Sequence, residues 1–304
     1  MHALIVGYGS IGARHARLLA ATGADVVCVT GNRDCPFPQS ASIAQAVASH
    51  AFDLVIISNA TTYHKNTLAE VLATGYTGKI LVEKPLFETA HKVSVEGAGP
   101  IFVAYNLRFH PLVQRTFALL KGRKAICAEF FVGQFLPDWR PGTDYRKGYS
   151  AIKEQGGGVL RDLSHELDLV LWMLGSWTDV TAVGGHFSRL EISSDDSYSL
   201  LMKTERCRAV SVHLDYLNFG VRRGFNIIAE ELTLTGDFIA NTLLVNGEKE
   251  SFATDRDTTY KAQLEALLGS GPGDPCTFAQ GAEVVALVDG AEAAAQRREW
   301  VTAS

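Results

Sequence analysis

The chain has 304 residues, 47% of them hydrophobic and 20% charged, a balance typical of a globular protein of about two domains. Its formal net charge of -5 argues against a general nucleic-acid binder, which usually carries a basic surplus. No run approaches the ~18 consecutive apolar residues that span a bilayer, and residues 1–7 lack the basic start of a signal peptide. The five cysteines are scattered without C-x-x-C spacing, so we expect a cytoplasmic protein with no disulfide framework and no metal site.

The first hundred residues alternate short apolar runs with helical stretches. Strands are predicted over Ala3–Val6, Asp25–Val29, Leu54–Ser58, Lys79–Val82 and Ile101–Ala104. Helices are predicted over Ile11–Ala21, Ile43–Ser49, Lys65–Thr74 and Glu88–Glu96. Because these strands are apolar throughout, helices should cover both of their faces, as in a doubly wound parallel sheet. We therefore predict a Rossmann-type, dinucleotide-binding domain over residues 1–108.

The remainder, residues 109–304, has a different pattern. Helices are predicted over Pro111–Lys121, Gly158–Leu174, Tyr260–Leu268 and Phe278–Arg297, and a loop over 133–157. Strands are predicted over Val180–Phe187, Tyr198–Lys203, Ala209–Leu214, Phe225–Ala229, Leu232–Thr235 and Thr242–Val245. Apolar and polar residues alternate over 209–215, which predicts a sheet with one buried and one wet face. This part is predicted to be an α+β domain that binds substrate and forms oligomers.

A glycine motif follows the first predicted strand. It fits G-x-G-x-x-G and consists of Gly7, Tyr8, Gly9, Ser10, Ile11 and Gly12. Gly7 would permit a tight turn, Gly9 would let the backbone approach a pyrophosphate, and Gly12 would let helix and strand pack closely. The alternative is a turn that simply needs glycines. Since the motif joins a predicted strand to a predicted helix, we expect it to bind a dinucleotide at the helix N-terminus.

The end of the second predicted strand bears on which dinucleotide binds. An acidic residue there would contact the ribose 2′-hydroxyl of NAD, but Thr30, Asn32 and Arg33 stand in this region. These groups could hold a 2′-phosphate, so we favour NADP(H) over NAD(H). The alternative is that Arg33 is a solvated loop residue and that Asp34 or another group contacts the ribose.

Two further loops leave the carboxyl ends of predicted strands, where ligands bind in open α/β sheets. Candidate cofactor contacts in these loops are Asn59, Ala60, Thr61, His64, Glu83 and Lys84. For Asn59 and Thr61 the alternative is capping of the next helix, and His64 also fits a polar residue at a helix start.

Three motifs resemble the Gfo/Idh/MocA family of oxidoreductases. They are Glu83-Lys84-Pro85, Tyr105-Asn106-Leu107-Arg108-Phe109-His110-Pro111, and the run from Gly156 to Asp168 that contains Asp162 and His165. The resemblance implies a Rossmann domain followed by a substrate domain with a large, mostly antiparallel open sheet. It also implies NAD(P)-dependent hydride transfer to or from a sugar, polyol or nucleotide sugar.

The same resemblance implies roles for individual residues. Lys84 would lie beside the nicotinamide and carry the hydroxyl proton, as a lysine can when its surroundings lower its pKa. Asp162 and His165 are the other catalytic candidates. Their spacing of three differs from the family's usual four, but both spacings fall on one helical face. Asn106 would contact the nicotinamide end or the substrate, and Arg108 the substrate. For Lys84 the alternative is an ion pair with Glu83, and for His165 it is a core histidine whose hydrogen bonds are all made within the protein. For Asn106 and Arg108 the alternative is that they anchor a hinge between the domains.

The loop over 137–149 is rich in aromatic and cationic residues. Arg140, Arg146 and Tyr149 could hold an anionic sugar or nucleotide sugar. The alternative, weighed equally, is a covering loop whose arginines pair with Asp138 and Asp144.

Two other functions stay open. A non-catalytic dinucleotide-binding regulator would keep the fold without turnover, and a reductase of a non-sugar carbonyl compound would use the same site. We expect no nucleic-acid or membrane partner. We do expect a homodimer or homotetramer through the sheet of the second domain, because a single chain does not cover that sheet.

Overall fold

The structure is a computed structural model that describes residues 1–303. The chain divides into two compact units. The first unit contains Met1–Asn106 and Asp257–Ala282, and the second contains Leu107–Arg256 and the residues from Glu283 onward. The first unit is therefore discontinuous in sequence. The predicted division into 1–108 and 109–304 places residues 257–282 in the second domain, whereas the structure places them in the first unit.

Fifteen strands and eight α-helices form within residues 1–303. The strands are β1 (His2–Val6), β2 (Asp25–Val29), β3 (Leu54–Ile57), β4 (Lys79–Val82), β5 (Ile101–Val103), β6 (Ala125–Gly133), β7 (Trp177–Gly185), β8 (Ser197–Thr204), β9 (Cys207–Asp215), β10 (Arg222–Ala229), β11 (Leu232–Asp237), β12 (Thr242–Val245), β13 (Glu248–Ser251), β14 (Cys276–Thr277) and β15 (Val301–Thr302). The helices are α1 (Ser10–Ala21), α2 (Ile43–Ser49), α3 (Thr61–Ala73), α4 (Pro111–Leu120), α5 (Val159–Asp162), α6 (His165–Leu174), α7 (Thr258–Leu268) and α8 (Phe278–Arg297).

The first unit is built on a six-stranded sheet in the order β14-β5-β4-β3-β1-β2. The five strands from the N-terminal part run parallel, and β14 adds to β5 in the antiparallel direction. All four residues of β3 are buried, as expected for a strand covered on both faces. The predicted doubly wound parallel sheet is confirmed, and the carboxyl ends of β1, β3 and β4 carry the loops of interest.

Residues 257–282 complete the core of this unit. Leu264 and Leu267 of α7 pack into the cluster that contains Leu19 and Ile56. Lys79 Nζ also donates to the carbonyl of Leu267 at 2.6 Å. The return segment is therefore part of this domain and not an appendage to it.

The segment predicted as a helix over Glu88–Glu96 has no regular structure, so that prediction is wrong. His91, Val93 and Val95 are half-buried while their neighbours are exposed. This period of two is that of an extended chain, and β-branched residues favour it over a helix.

The second unit is built on a nine-stranded sheet in the order β13-β12-β11-β10-β6-β9-β8-β7-β15. All neighbouring strands are antiparallel except β6 and β9. The sheet is thus large and mostly antiparallel, as the family resemblance implies. Its inner face is apolar and buried, and α6 packs against β6 and β9.

The helix predicted over Gly158–Leu174 is broken. Leu163 leaves the helical conformation with φ -100° and ψ 23°, so α5 ends at Asp162 and α6 begins at His165. Nearly every residue of both pieces is buried, so apolar periodicity does not reveal the break. The prediction of one continuous helix is therefore wrong, and Asp162 and His165 lie on two different helices.

Within residues 1–303, no helix has the length and apolar character needed to cross a lipid bilayer.

Candidate functional site

The loop from β1 to α1 is shaped by its three glycines. Gly7 has a φ of +96°, and a Cβ there would lie 2.5 Å from the backbone nitrogen of Asn59. A Cβ on Gly12 would lie 2.0 Å from the Gly7 carbonyl oxygen, so helix and loop pack too closely for any side chain. Gly9 has no atom within 4 Å of its Cβ position. The backbone at Gly9 is therefore open to a ligand, as the sequence predicts.

The N-terminus of α1 points to the chemistry of such a ligand. Gly9 is its N-cap residue, no side chain caps it, and no acidic residue lies in its first turn. Its first N–H groups and the positive end of its dipole therefore face the open loop, where an anion is stabilised. Ser10 is exposed and Ile11 half-buried in that first turn. The residues present fit the diphosphate of a dinucleotide.

The loop after β2 packs onto the glycine loop. Asn32 donates through Nδ2 to the Tyr8 carbonyl at 3.1 Å, and its backbone N–H donates to Thr30 Oγ1 at 3.0 Å. Asn32 Oδ1 accepts from the backbone N–H of Asp34 at 2.9 Å. Arg33 is exposed and forms no ion pair within residues 1–303. Asn32 therefore shapes the loop, while Arg33 is the residue whose charge remains uncompensated.

The loop between β3 and α3 is fixed by internal hydrogen bonds. Asn59 Nδ2 donates to Thr67 Oγ1 at 2.8 Å. Ala60 occupies the N-cap of α3 and no side chain caps that helix, so neither Asn59 nor Thr61 has the capping role considered for it. Thr61 is itself buried as the first helical residue.

His64 joins this loop to the loop after β4. Its ring is 1% exposed. Nδ1 lies 3.1 Å from the Pro85 carbonyl oxygen, and Nε2 lies 3.1 Å from the Asn59 carbonyl oxygen. Burial lowers the pKa of His64, against the opposing effect of these carbonyl groups and of Glu83. His64 therefore holds two loops together through their backbones, and its ring faces protein on both sides.

The Glu83-Lys84-Pro85 segment is held from a second direction. Glu83 Oε1 lies 2.7 Å from Nε2 of the fully buried His15, and Oε2 accepts from the Lys84 backbone N–H at 3.2 Å. The Lys84–Pro85 peptide bond is cis. Lys84 is half-buried at the carboxyl end of β4. Glu83 thus bonds to His15 and to the Lys84 backbone, which positions Lys84.

Asn106 closes the first unit. It is buried, and its Nδ2 donates to Thr259 Oγ1 in α7 at 2.8 Å. This bond ties the end of the N-terminal segment to the return segment. His15 and Thr259 are supporting residues that the sequence prediction missed, because their partners lie 68 and 153 positions away.

In the second unit, Arg108 is engaged in a buried ion pair. It is 1% exposed, and its Nε and Nη2 donate to the two carboxylate oxygens of Asp168 at 2.9 and 2.6 Å. Its guanidinium also lies 5.3 Å from the centre of the Trp172 ring. This placement favours the anchoring role considered for Arg108 over substrate contact.

Asp162 is buried at the end of α5, where two tyrosines meet it. The Tyr216 hydroxyl donates to Asp162 Oδ2 at 2.6 Å, and Tyr149 lies near enough for the Asp162 charge to act on it. Burial, followed by the charge of Asp162, raises the pKa of both tyrosines well above the usual 10. Both therefore stay protonated and act as donors. His165 is half-buried as the first residue of α6.

The sequence prediction did not include Tyr216, although a signal for it was present. It follows Val210, Val212 and Leu214 at the same parity of the alternating run, is fully buried, and stands one residue after the end of β9. A polar ring at a buried position needs a hydrogen-bond partner, which here is Asp162.

Residues of the loop over 136–150 line an open cavity of about 320 Å³ within the second unit. Trp139 packs edge-on against Tyr216 with 5.1 Å between ring centres, and Arg140 lies 5.7 Å above the Tyr149 ring. Arg146 pairs with Asp144 at 2.8 Å and with Glu191 at 3.0 Å. The two arginines of the loop therefore differ. Arg146 forms ion pairs, as the covering-loop alternative expects, and Arg140 does not.

A comparison with protein families bears on the second unit. Residues 129–251 match the family model described as GFO/IDH/MocA C-terminal domain. The matched residues lie within the second unit. The predicted family resemblance is confirmed by this match. No curated protein sequence matches the chain.

Solved structures resemble the whole chain. GenD2 from gentamicin A biosynthesis, in complex with NAD, is 21% identical, with a TM-score of 0.80 over 100% of this chain and 96% of that one. Levoglucosan dehydrogenase, in complex with NADH and levoglucosan, is 17% identical, with a TM-score of 0.83 over 100% and 99%. The WlbA dehydrogenase from Bordetella pertussis, in complex with NADH and UDP-GlcNAcA, is 18% identical, with a TM-score of 0.81 over 100% and 98%. At these identities the likeness shows a common fold.

No group of three or more His, Cys, Asp or Glu side chains within residues 1–303 could hold a metal ion, and the five cysteines are free thiols.

Proposed function

We propose that this protein is a nicotinamide-dinucleotide-dependent oxidoreductase that transfers hydride to or from a sugar or nucleotide sugar. The observation that carries the proposal is the open backbone at Gly9, beside the uncapped N-terminus of α1. The GFO/IDH/MocA C-terminal domain and the dehydrogenases of the same fold, solved with NAD or NADH, support it.

The residues that would hold the cofactor lie at the carboxyl ends of neighbouring parallel strands. The glycine loop after β1 would take the diphosphate, and the loop after β2 would take the adenosine ribose. A bound nicotinamide supplies the hydride acceptor or donor. The loops after β3 and β4 would face the nicotinamide half, with Lys84 held by the Glu83 and Pro85 contacts described above.

Lys84 is the proton carrier in this proposal. Oxidation of a secondary alcohol releases the hydroxyl proton, and a lysine amine accepts it in its neutral form. Asp162 and His165 are the candidates for orienting the substrate hydroxyls. Because Tyr216 donates to Asp162 Oδ2 at 2.6 Å, the protein holds one oxygen of this carboxylate before substrate arrives.

The first experiment is a titration of the purified protein with NADH and with NADPH, followed by tryptophan and cofactor fluorescence. Saturable binding of either cofactor, followed by hydride transfer with a panel of sugars and nucleotide sugars, is the expected result. Binding of neither cofactor contradicts the proposal. Binding without turnover of any sugar, polyol or carbonyl compound favours a regulator instead.

The role of Lys84 is tested with Lys84→Ala against the matched control Lys92→Ala, since Lys92 is an exposed lysine in the irregular segment that follows. Loss of the proton carrier is expected to lower kcat by about 10²–10⁴-fold. Cofactor affinity should change little. Equal kcat values for the two variants would remove Lys84 from the mechanism.

We also propose that a second copy of this chain covers the outer face of the nine-stranded sheet. Val183 and Leu201 are 70% and 56% exposed there, and they line one hollow. Exposed apolar side chains that share a surface mark a protein contact. Light scattering should give two or four times the mass of one chain, and Leu201→Glu should reduce it. Ile239→Glu, a control that is 54% exposed in the turn after β11, should not. A monomeric wild-type protein refutes this proposal.

A further inference from the structure

The open cavity lined by residues 136–150 carries more positive than negative charge. Three charged residues line it: Arg140, Asp144 and Lys147. Both carboxylate oxygens of Asp144 already accept from Arg146, at 2.8 and 3.1 Å. Neither Arg140 nor Lys147 forms an ion pair within residues 1–303. The cavity therefore presents two cations to whatever enters it.

The same cavity offers apolar ring surface. Trp139 and Tyr145 line it together with Leu136 and Pro137. A mostly apolar wall with a few placed polar groups is the usual composition of a small-molecule site. Arg140 is exposed and its guanidinium lies 5.7 Å from the centre of the Tyr149 ring, so an entering anion has access to it.

The cavity also lies one layer of side chains from Asp162. Tyr216, which packs against Trp139, donates to the Asp162 carboxylate, and Tyr149, beneath Arg140, lies near it. A molecule in the cavity therefore contacts residues that touch two tyrosines beside a candidate catalytic carboxylate. This arrangement connects the cavity to the proposed substrate site and not to a remote surface.

We propose that this cavity is an anion subsite for the substrate, in which Arg140 binds a carboxylate or phosphate carried by the sugar. The inference rests on the proposed function, since it names the class of substrate for the same site. Arg146 is outside the subsite, because its charge is taken up by Asp144 and Glu191.

The test measures binding of four probes at low ionic strength by calorimetry, with NADH present. Glucose is the neutral probe, glucuronate carries a carboxylate, and glucose 6-phosphate and UDP-glucose carry phosphates. At least one anionic probe should bind about 10-fold tighter than glucose or better, and added salt should weaken it. Which anionic probe binds best distinguishes a carboxylate subsite from a phosphate subsite.

Arg140→Gln should weaken the binding of the best anionic probe by about 10- to 100-fold and leave the affinity for glucose unchanged. Arg140→Lys keeps the charge and should recover part of the loss, which separates charge from folding. The control is Arg189→Gln, an exposed arginine of the same unit outside the cavity lining, and it should change affinity by no more than about twofold.

Three results would overturn the subsite: glucose binding as tightly as every anionic probe, no binding of any anionic probe, or an Arg140→Gln protein that binds like wild type. If the protein binds NADH and oxidises a neutral sugar, and Arg140→Gln changes neither property nor the binding of any anionic probe, the subsite is refuted but the proposed function is not. A wild-type protein that binds no cofactor refutes the proposed function, and the probe titrations, repeated without NADH, then decide the subsite separately.

Discussion

Alanine at Gly9 and at Gly12 should have opposite effects, although both residues belong to one motif. A Cβ on Gly12 would lie 2.0 Å from the Gly7 carbonyl oxygen and 2.7 Å from Ser58 Oγ. The carbonyl is backbone and cannot turn aside, so the loop or the helix must shift. Overpacking of this kind costs about 1–3 kcal/mol, which corresponds to a Tm about 4–12 °C lower for a domain of this size.

Gly9→Ala meets no such obstacle. Its Cβ would have no neighbour within 4 Å, and its φ of -85° suits any residue. Stability should therefore stay equal or rise by about 0.4–1 kcal/mol, because alanine restricts the unfolded chain. Cofactor binding should suffer instead, since the new methyl group occupies the space where a diphosphate approaches the backbone.

Thermal unfolding by circular dichroism and NADH titration of both variants measure these two quantities independently. The expected pattern is a stable Gly9→Ala protein with cofactor affinity at least about 10-fold weaker, and a destabilised Gly12→Ala protein. A Gly9→Ala protein that binds NADH like wild type would show that the diphosphate does not lie over Gly9. A Gly12→Ala protein with unchanged Tm would show that the close packing is absent in solution.

Three further predictions follow from contacts described above. If NADP(H) is the favoured cofactor, Arg33→Ala should weaken NADPH binding by about 10-fold or more in fluorescence titrations and change NADH binding by less than about twofold. Equal losses of affinity for the two cofactors refute that preference. Asp168→Ala should lower the free energy of unfolding by about 3–5 kcal/mol in urea titrations, because it leaves the Arg108 charge buried and unpaired. The double variant Arg108→Met with Asp168→Leu should lose much less, and equal losses would contradict that reason. Burial lowers the pKa of His64 below 6.5 in the folded protein. Below that pH the His64 side chain binds more protons in the unfolded chain than in the folded one, so the protein becomes less stable as the pH is lowered. His64→Gln should therefore narrow the difference in Tm between about pH 7.5 and about pH 5.5, and an unchanged difference would exclude His64 as a source.

The sequence predicted those features whose signals are local. The strands of the first unit are apolar at every position, and the glycine motif stands between a strand and a helix, so both could be recognised from short segments. The period of two in residues 91–96 was also a local signal, and the helix prediction there missed it.

Features that depend on distant partners could not be predicted in this way. The central strand β6 has apolar residues on both faces, since Phe131 is half-buried outside and Phe130 buried inside, and it shows no clean alternation. The Arg108–Asp168 pair joins residues 60 positions apart, and nothing near either residue names its partner. The ion pairing of Arg146 in the loop over 136–150 depends in the same way on Glu191, which lies 45 positions away in the sequence.

The return of residues 257–282 to the first unit has a consequence for synthesis on the ribosome. A growing chain emerges N-terminus first, at ~5–20 residues per second, so residues 107–256 take about 8–30 s to make before α7 appears. During that interval the nascent sheet lacks β14 along β5, and the core positions later filled by Leu264 and Leu267 stay open to water. The domain that begins the chain can therefore finish folding only after the strands of the other domain up to β13 have been made. A chaperone that shields exposed apolar surface would have its longest opportunity to bind this half-built N-terminal domain.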